Sequence, residues 1–495
     1  MKFSLLTLVI VPMLWLSGPC AAAGATAGNI SRKPNIIFIL TDDQAPDTVA
    51  SANLWGVDAR MIRTPNMDKL AADGTRFSQA YNMGAWHGAV CVASRSMLNS
   101  GRFLWQAERG EREKFSGMIR NRKFWSQRMK AAGYRTCMAG KWHVKAPLDK
   151  LFDSVTCPLP GYLEPTGNQY LRPVEGKPDT WSPVDPANGG FWHDGKHWSE
   201  RLADDAVGLI AGAAKDDAPF FLYLAFNAPH DPRQAPDEFI AMYPPARMAV
   251  PENFLPRNPH YANMNLGPEG AKAMRDESLA PFPRTTLAVR THRAEYHACV
   301  SHLDAQIGRV LDALEQSGLA GNTHVILTSD QGLAVGRHGL MGKQNMYEHS
   351  VRVPFIIRGP GIPTGEVRDE RIYMQDAMAT VLDLAGANAA DVDFHSLMPL
   401  LRHERGGPRH DAIYGAFTAN GQRMVIDGNH KMILYPAART VLLFDLAKDP
   451  LELRDLSGEA DSTPLQRRLF TRLRALQKQT GDTLDLGKSY PDLME

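Results

Sequence analysis

Residues 35–44, with the sequence NIIFILTDDQ, are an apolar run that ends abruptly in polar side chains. The first part, residues 35–40, is rich in isoleucine and phenylalanine, which is typical of a strand buried on both faces. The polar residues that follow are Thr41, Asp42, Asp43 and Gln44. Because ligands of open α/β sheets bind beyond the carboxyl ends of the strands, this segment predicts a parallel sheet with a polar site at one edge.

The same succession of an apolar run and a polar turn recurs along the chain. Further strands are predicted at residues 134–139, 220–226, 324–328 and 354–357. Residues 294–316 have apolar positions at helical spacing and stop before Gly318, while Thr64 and Pro65 begin a shorter helix that ends before Gly74. Strands that alternate with helices favour an α/β fold with a mostly parallel central sheet flanked by helices.

The last part of the chain has a different pattern. Short strands, MVIDG, KMILY and VLLFDL, are followed by an amphipathic helix near residues 464–479. We therefore predict a catalytic domain at residues 33–405 and a small C-terminal α+β subdomain, with a short antiparallel sheet and a terminal helix, at residues 410–495. Two long stretches rich in proline and glycine, residues 156–188 and 244–283, are predicted to be loops that shape a substrate pocket.

Residues 1–27 have the features of a secretory signal peptide. Lys2 precedes an apolar run at residues 5–16, and the small residues that follow offer cleavage sites after Ala23 or Ala27. The run is too short to span a bilayer, which takes about 20 residues, and we expect no membrane span elsewhere. The pattern predicts an exported protein that is periplasmic or extracellular.

The charge balance excludes one broad class of function. Among 495 residues, 55 Lys and Arg stand against 54 Asp and Glu, which leaves a formal net charge of +1. A protein that binds nucleic acid through phosphate contacts needs a basic surface, so we expect no nucleic-acid partner. An oxidising compartment would permit one disulfide among the four cysteines after residue 27, with the pairing left open.

Polar side chains follow each predicted strand. A single Asp at such a position is commonly a helix cap or a turn former, and a single His is more often structural than catalytic. Together, however, these side chains form two chemically distinct groups. The first offers the oxygen ligands that calcium prefers, and comprises Asp42, Asp43, Asp330 and Gln331. The second offers positive or titratable groups for an anionic substrate, and comprises Lys141, His143, His230 and Lys343.

Cys91 opens the segment CVASRSMLNSGR, residues 91–102, which predicts a loop leading into a short helix that ends at Gly101. A cysteine at a helix N-terminus beside Arg95 is favoured as a thiolate. A reactive thiol is therefore one interpretation of Cys91, and a small buried apolar side chain is the other.

With this segment the chain resembles the formylglycine-dependent, or type I, sulfatases of the alkaline phosphatase superfamily. Their motif is Cys, any residue, Pro or Ala, Ser, Arg, followed several positions later by Leu, Thr, Gly, Arg. The matching residues are Cys91, Ala93, Ser94, Arg95, Gly101 and Arg102, with Asn99 in place of Leu and Ser100 in place of Thr. The segments KPNIIFILTDDQ, AGKWH, NAPH, TSDQG and HGLMGKQNMYE match in order, and the resemblance covers residues 33–361.

The resemblance implies chemistry that starts from a modified side chain. In the family, a maturation enzyme oxidises the motif cysteine to formylglycine (3-oxoalanine), and the hydrated aldehyde attacks the sulfate ester. Here the modified residue would be Cys91. One calcium ion would be held by Asp42, Asp43, Asp330, Gln331 and the modified Cys91.

Catalytic roles for the other matched residues follow from the same resemblance. Arg95 and Lys141 would stabilise the deprotonated diol. Lys343 and His230 would neutralise charge on the sulfate and on the leaving oxygen, with His230 as the proton donor. His143 would act as the base that allows release of sulfate, and Lys141, His230 and Lys343 would also bind substrate.

Two other functions stay open at this point. Phosphonate and phosphate-ester hydrolases share the superfamily, and a catalytically dead glycan-binding protein would retain an unmodified Cys91. The expected substrate is a sulfated small molecule or saccharide, whose sugar and sulfated position the sequence does not determine.

Several side chains in predicted loops are candidates for substrate recognition. The segment GGFWHDGKHW, with His193 and His197, is a candidate specificity loop. Four tryptophans either stack on sugar rings or anchor the loops to the domain; they are Trp86, Trp181, Trp192 and Trp198.

Overall fold

The described part of the chain contains sixteen strands, nine of which form one central sheet. The structure is a computed structural model that describes residues 32–55, 61–270, 272–407 and 409–494. The predicted leader, residues 1–27, lies outside the described residues. The strands are β1 (Asn35–Thr41), β2 (Thr75–Tyr81), β3 (Gly84–Ala85), β4 (Arg135–Lys141), β5 (Ser154–Leu159), β6 (Trp192–His193), β7 (Lys196–His197), β8 (Phe220–Ala225), β9 (Thr323–Ser329), β10 (Arg352–Val353), β11 (Phe355–Arg358), β12 (Glu366–Tyr373), β13 (Ala412–Phe417), β14 (Arg423–Asp427), β15 (His430–Tyr435) and β16 (Thr440–Asp445).

The central sheet is mostly parallel, as predicted. Strand β1 lies between β8 and β9 and is parallel to both, and β4 and β5 continue the parallel order beyond β8. Strands β10 and β11 pair antiparallel with β2, and β11 also pairs antiparallel with β9. Strand β12 pairs with β2 in parallel. The carboxyl ends of β1, β4, β8 and β9 therefore meet at one edge of the sheet.

Helices cover both faces of this sheet. The described helices are α1 (Pro65–Ala72), α2 (Val90–Ser100), α3 (Leu104–Arg112), α4 (Ser116–Arg120), α5 (Trp125–Ala131), α6 (Trp198–Ala213), α7 (Asp237–Ala241), α8 (Thr286–Gln316), α9 (Glu348–Val351), α10 (Asp376–Leu384), α11 (Met398–Leu401), α12 (Thr463–Thr480) and α13 (Leu486–Ser489). Alternate residues of β1 point to opposite faces: Phe38 packs with Trp125 of α5, whereas Ile37 packs in the cluster of Leu202 of α6 and Leu303 of α8. The continuous apolar run of β1 is explained by this burial on both faces.

A second sheet has the order β16, β15, β14, β13, β3. Strands β13 to β16 are antiparallel, while β3 lies parallel to β13 and comes from the segment just before α2. Helix α12 packs on this sheet through Leu469, Phe470 and Leu473. Residues 33–495 form one compact unit, because the catalytic part of the chain supplies a strand to the C-terminal sheet.

Several predicted elements differ from the structure at their ends. Helix α8 begins at Thr286, eight residues before the predicted start at residue 294. The prediction missed these first turns because they carry few apolar residues. The side chain of Thr285 is the N-cap and accepts a hydrogen bond from the Ala288 N–H. Strand β5 begins at Ser154 and runs to Leu159, so its last four residues lie in the segment predicted as a loop, residues 156–188. The sequence pattern does not predict β12, since its polar sequence EVRDERIY belongs to a half-exposed edge strand. Within the described residues, no helix is long and apolar enough to cross a membrane.

A buried ionic cluster joins the C-terminal sheet to the catalytic part. Lys431 of β15 lies 3.0 Å from Oε1 of Glu348 in α9 and 2.8 Å from Oε1 of Glu452, and all three side chains are buried. Burial, together with the neighbouring Glu348, raises the pKa of Glu452 from an ordinary 4.5 to about 7, despite the opposing charge of Lys431. One ammonium group does not fully compensate two buried carboxylates.

This cluster predicts a pH dependence of stability that one substitution removes. The folded protein binds a proton at Glu452 that the unfolded chain has lost, so the contribution of Glu452 to stability is present below about pH 4.5 and declines as the pH rises to about 7. In Glu452→Gln the side chain stays neutral, and unfolding temperatures measured from pH 4.5 to 8 should fall less steeply than in the wild type. Glu459→Gln, at a partly exposed residue, is the control, and parallel curves for wild type and Glu452→Gln would contradict the interpretation.

Candidate active site

The predicted site residues meet where the strands of the central sheet end. Asp42 and Asp43 follow β1, Asp330 and Gln331 follow β9, and Lys141 is the last residue of β4. The carboxylates of Asp42, Asp43 and Asp330 and the sulfur of Cys91 offer ligand atoms that all lie within 4.8 Å of one another. The order of the strands thus gathers residues that are almost 300 positions apart in the chain.

Helix α2 carries Cys91 in its first turn and ends at Gly101, whose φ of 66° gives the left-handed cap that glycine favours. The Cys91 sulfur lies 3.2 Å from Oδ1 of Asp42 and 3.8 Å from Oδ1 of Asp43. Nζ of Lys343 lies 3.4 Å from the same sulfur and also contacts Asp43. A chemically modified residue 91 would therefore face two carboxylates and an ammonium group.

Arg95 lies one helical turn after Cys91 and so faces the same pocket. Its Nε donates to Oδ2 of Asp330 at 2.8 Å, and its Nη1 donates to the backbone carbonyl of Lys141 at 2.7 Å. The Lys141 ammonium contacts Asp42. These contacts connect helix α2 to the ends of β4, β9 and β1 inside the protein.

The local backbone is shaped to present these side chains. Asp43 has a φ of 64°, and its carbonyl accepts a bond of 2.6 Å from the hydroxyl of Tyr296 in α8. Gly140, just before Lys141, has a φ of 100°, and a Cβ there would lie 2.0 Å from the carbonyl oxygen of Ala225. The glycine in AGKWH is thus required by close approach of β4 to β8.

The donor set suits a hard divalent cation. Carboxylate oxygens are the ligands that calcium and magnesium prefer, and three buried carboxylates converge here. Burial and then the charge of Asp42 raise the pKa of Asp330 despite Arg95. Burial and the charges of Asp42, Asp330 and Asp276 likewise raise the pKa of Asp43 despite Lys343. Among the described residues, the buried Nε2 of Gln331 and Nη2 of Arg95 are donors without a hydrogen-bond partner, which suits a bound anion such as a sulfate group. A cation would relieve the repulsion between carboxylates, so the residues fit such an ion.

The two histidines are held neutral. Burial, and then the charges of Lys141 and Arg95, lower the pKa of His143 to about 2. Burial and the charge of Lys343 lower the pKa of His230 to about 3. Nδ1 of His143 is buried and has no hydrogen-bond partner among the described residues, whereas Nε2 of His230 lies 3.7 Å from Oδ2 of Asp43. At neutral pH each imidazole is therefore uncharged and has one ring nitrogen that can accept a hydrogen bond.

Of the two interpretations of Cys91, the structure favours the small buried side chain over a thiolate for the unmodified residue. Burial raises the pKa of the Cys91 thiol well above its usual range, and the charges of Asp330 and Asp42 raise it further. The charges of Lys343 and Lys141 act in the opposite direction but have a smaller effect, and Arg95 is paired with Asp330. Cys91 and the other three cysteines after the leader, Cys137, Cys157 and Cys299, are free thiols.

Not every predicted recognition residue lies at the pocket. His197 is wrong as a substrate ligand, because its ring is fully buried, stacks on Phe191 and caps α6 by accepting from the Ser199 N–H. His193 is exposed on the β6–β7 hairpin and pairs with Asp194. Of the four tryptophans only Trp192 is more than slightly exposed; Trp86, Trp181 and Trp198 are buried loop anchors.

Sequence reasoning missed several residues next to His230. Asp231 lies beside it in the chain, Arg275 and Asp276 come from the long loop at residues 244–283, and the Tyr162 ring lies 5.9 Å from the His230 ring. No strand end or motif marks Tyr162 or Arg275. The only signal in the sequence was that both lie in the two long loops predicted to shape the substrate pocket.

Comparison with known proteins agrees with this geometry. Residues 34–387 match the family model described as sulfatase, and residues 336–479 match the model described as the C-terminal part of N-sulphoglucosamine sulphohydrolase. The chain belongs to the sulfatase family. It is a type I sulfatase of the alkaline phosphatase superfamily and a sulfuric ester hydrolase. The α/β fold and the C-terminal subdomain predicted from the sequence are confirmed.

Three known proteins are similar to this sulfatase over most of its length. An N-acetylglucosamine-6-O-sulfatase of Bacteroides thetaiotaomicron is 26% identical, with 91% of this chain and 88% of the relative covered. The structure of a protein in complex with its substrate D-glucosamine-2-N,6-O-disulfate superimposes with a TM-score of 0.69 at 24% identity, covering 94% and 100% of the two chains. A phosphonate monoester hydrolase of Agrobacterium radiobacter has the same TM-score at 22% identity, covering 90% and 96%.

The carboxylate cluster predicts that calcium stabilises the folded protein. An ion that binds only the native state stabilises it by about 2.7 kcal/mol at a concentration 100-fold above its Kd. Thermal unfolding of the wild type should therefore shift upward on addition of calcium and downward after chelation, whereas Asp330→Asn should lose most of the shift.

The readout is the calcium-induced shift rather than the absolute unfolding temperature, because Asp330→Asn also loses an ion pair with Arg95. Asp312→Asn, at an exposed position on α8, is the matched control. An equal shift in Asp330→Asn and the wild type would show that calcium binds elsewhere.

Proposed function

We propose that this sulfatase hydrolyses a sulfate ester on a saccharide, through formylglycine made from Cys91 and one calcium ion. The observation that carries the proposal is the placement of the Cys91 sulfur 3.2 Å from Asp42 and 3.4 Å from the Lys343 ammonium, inside a pocket of three buried carboxylates. An unmodified buried thiol gains nothing from such surroundings. A side chain that bears an oxygen nucleophile beside a cation would use all of them.

The modified residue and the ion supply chemistry that the other side chains do not have. Formylglycine offers, as its hydrate, an oxygen nucleophile, and calcium offers Lewis acidity toward oxygen. Asp42, Asp43, Asp330 and Gln331 are the residues that would hold the ion. The fit rests on the convergence of three buried carboxylates within 4.8 Å of one another.

Arg95, Lys141 and Lys343 supply positive charge around an anionic ester. Arg95 is fully buried, and the side chains of Lys141 and Lys343 are 0% and 2% exposed. Fixed charges in a site from which water is excluded stabilise developing negative charge without reorganisation. Lys141 and Lys343 now contact Asp42 and Asp43, so an ion on those carboxylates would release both ammonium groups toward the sulfate.

The two neutral histidines divide the proton transfers between them. His143, with an unpartnered Nδ1, is suited to remove a proton on the side of residue 91. Cleavage of the ester breaks the S–O bond, and the departing oxygen gains the proton that His230 delivers. Burial and the charge of Lys343 oppose protonation of His230, and the negative charge of a bound sulfate would favour it.

A saccharide is the substrate class that the relatives favour. The name of the Bacteroides relative specifies a sulfated amino sugar, and the substrate in the superimposed complex is a disulfated glucosamine. The mouth of the pocket carries Tyr162, an aromatic ring beside His230, and aromatic rings offer broad faces for sugars. A phosphonate or phosphate ester is the alternative, favoured by the fold of the Agrobacterium enzyme alone.

We also propose that the protein is exported and that a maturation enzyme modifies it on the way. Residues 1–27 carry the charge, apolar run and small-residue sites of a signal peptide. Since Cys91 is 2% exposed in the folded protein, its oxidation would have to precede folding. The maturation enzyme would therefore act on an extended chain.

The modification can be tested directly by mass. Conversion of Cys91 replaces a thiol by an aldehyde, so that the peptide containing residue 91 loses one sulfur and two hydrogens and gains one oxygen. Protein coexpressed with a formylglycine-generating enzyme should give this lighter peptide and release sulfate from an ester, whereas Cys91→Ala should do neither. Cys137→Ala is the matched control for loss of a buried cysteine, and an unchanged Cys91 peptide in active protein would refute the proposal.

The substrate class is tested by a panel of esters under one set of conditions. The panel contains glucosamine and galactose sulfates substituted at different positions, 4-nitrophenyl sulfate, choline sulfate and a phosphonate monoester. We expect the highest kcat/KM on one of the sulfated sugars. Release of sulfate from aryl or choline esters but from no sugar would reject the saccharide, and a higher kcat/KM on the phosphonate would reject the sulfate.

A further inference from the structure

Arg275 contacts His230 on the side of the ring away from the chain that carries it. Nη2 of Arg275 lies 3.2 Å from Nε2 of His230, and Nδ1 of His230 lies 2.6 Å from the carbonyl oxygen of Asp231. A guanidinium group only donates and a carbonyl oxygen only accepts. Nε2 is therefore the acceptor and Nδ1 carries the proton, so both the tautomer and the orientation of the imidazole are determined by these two contacts.

Arg275 is itself held firmly. It forms an ion pair with Asp231 and a second with Oδ1 of Asp276 at 2.7 Å, and its guanidinium lies 4.5 Å from the centre of the Tyr162 ring. Both aspartates are buried, whereas the Arg275 side chain is 30% exposed. Three partners thus fix a partly exposed cation beside the buried ring of His230.

The same loop is connected to the opposite side of the pocket. Oδ2 of Asp276 accepts a bond of 2.9 Å from Nε2 of Gln344 and lies 3.9 Å from Nζ of Lys343. Lys343 in turn contacts Asp43 and lies 3.4 Å from Cys91. Asp276 therefore joins the group that orients His230 to the ammonium group beside residue 91.

The position of His230 makes this orientation matter for the reaction. One ring nitrogen of His230, one oxygen of Asp42 and the sulfur of Cys91 lie within 4.8 Å of one another. If the ring turned about its bond to Cβ, Nε2 would no longer point between residue 91 and the opening. Among the described residues, Arg275 is the side chain that forms a hydrogen bond with Nε2, and this bond opposes such a turn.

We propose that Arg275 is a positioning residue of the sulfatase reaction, which acts through His230 to keep Nε2 directed at the leaving oxygen of the ester. The inference rests on the proposed function. As the substrate binds, its bridging oxygen takes the place of Nη2 at Nε2, while Arg275 keeps its ion pair with Asp231, whose carbonyl oxygen lies 2.6 Å from Nδ1 and still holds the ring in its orientation. With the anionic ester in place, Nε2 takes up a proton from water and passes it to the departing oxygen as the S–O bond breaks, which returns the ring to its neutral form.

The leaving group provides a readout that a merely structural role would not change. A phenol with an electron-withdrawing nitro group departs readily as an anion, whereas a sugar alcohol needs proton donation. Loss of a well-placed general acid costs on the order of 100-fold in rate where it is needed. For Arg275→Met we therefore expect kcat to fall about 100-fold on the best sulfated sugar and much less on 4-nitrophenyl sulfate, with KM almost unchanged.

The experiment uses full-length protein with formylglycine verified at residue 91, in a double-mutant cycle of Arg275→Met and His230→Ala. Because Arg275 acts through His230, Arg275→Met should cost little more once His230 is removed. Arg275→Lys, which keeps a charge but offers less fixed geometry, should recover part of the activity. Arg257→Met, in the same long loop and half exposed, is the matched control and should behave as the wild type.

Each alternative result contradicts the inference in a recognisable way. An equal loss on the sugar and aryl esters, additive with His230→Ala, would show a structural role. A rise in KM confined to sugars with a second anionic group would show that Arg275 binds substrate. If the wild type is active and either of these results is found, only the role of Arg275 is refuted. If the wild type is inactive on every sulfate ester although it carries formylglycine, the proposed function is refuted as well.

Discussion

The structure depends on the compensation of charge at the carboxyl edge of the central sheet. Asp42, Asp43 and Asp330 are almost completely removed from water, which is costly for carboxylates unless cations lie beside them. Arg95, Lys141 and Lys343 provide those cations, and each comes from a different element. The contacts therefore hold α2, the end of β4 and the loop after β9 at fixed positions around residue 91.

This arrangement explains why a buried cysteine stands at the start of α2. A buried ionic cluster does not by itself favour stability over a well-packed apolar core, so its presence indicates a function. The thiol is poorly suited to that function, since its surroundings raise its pKa. Three kinds of group converge on the position of the Cys91 sulfur: cations that suit an anionic ester, carboxylates that suit a metal ion and two neutral histidines. This convergence is the reason to expect a chemical group other than a thiol there.

The sequence predicted those parts of the molecule that repeat a simple physical pattern. The strand at Asn35–Thr41 is continuous and apolar because both of its faces are buried, and the polar residues after it identify the edge of the sheet that binds ligands. Gly101 ended α2 where predicted, since it adopts a left-handed conformation. In contrast, the edge strand β12 is polar, and the contribution of β3 to the C-terminal sheet involves two residues that no pattern marks.

Side chains supplied by loops were the hardest to predict. Arg275 and Tyr162 reach His230 from segments without periodicity, and their roles depend on tertiary contacts that composition does not contain. His197 resembled a recognition residue but caps a helix in the interior.

The most direct measurement is a crystal structure of the matured protein grown with calcium and soaked with a sulfated sugar. It should show one calcium ion bound by Asp42, Asp43, Asp330 and an oxygen on residue 91, with the sulfate between residue 91 and His230. An ion bound elsewhere, or a sulfate group away from residue 91, would contradict the reaction centre described here.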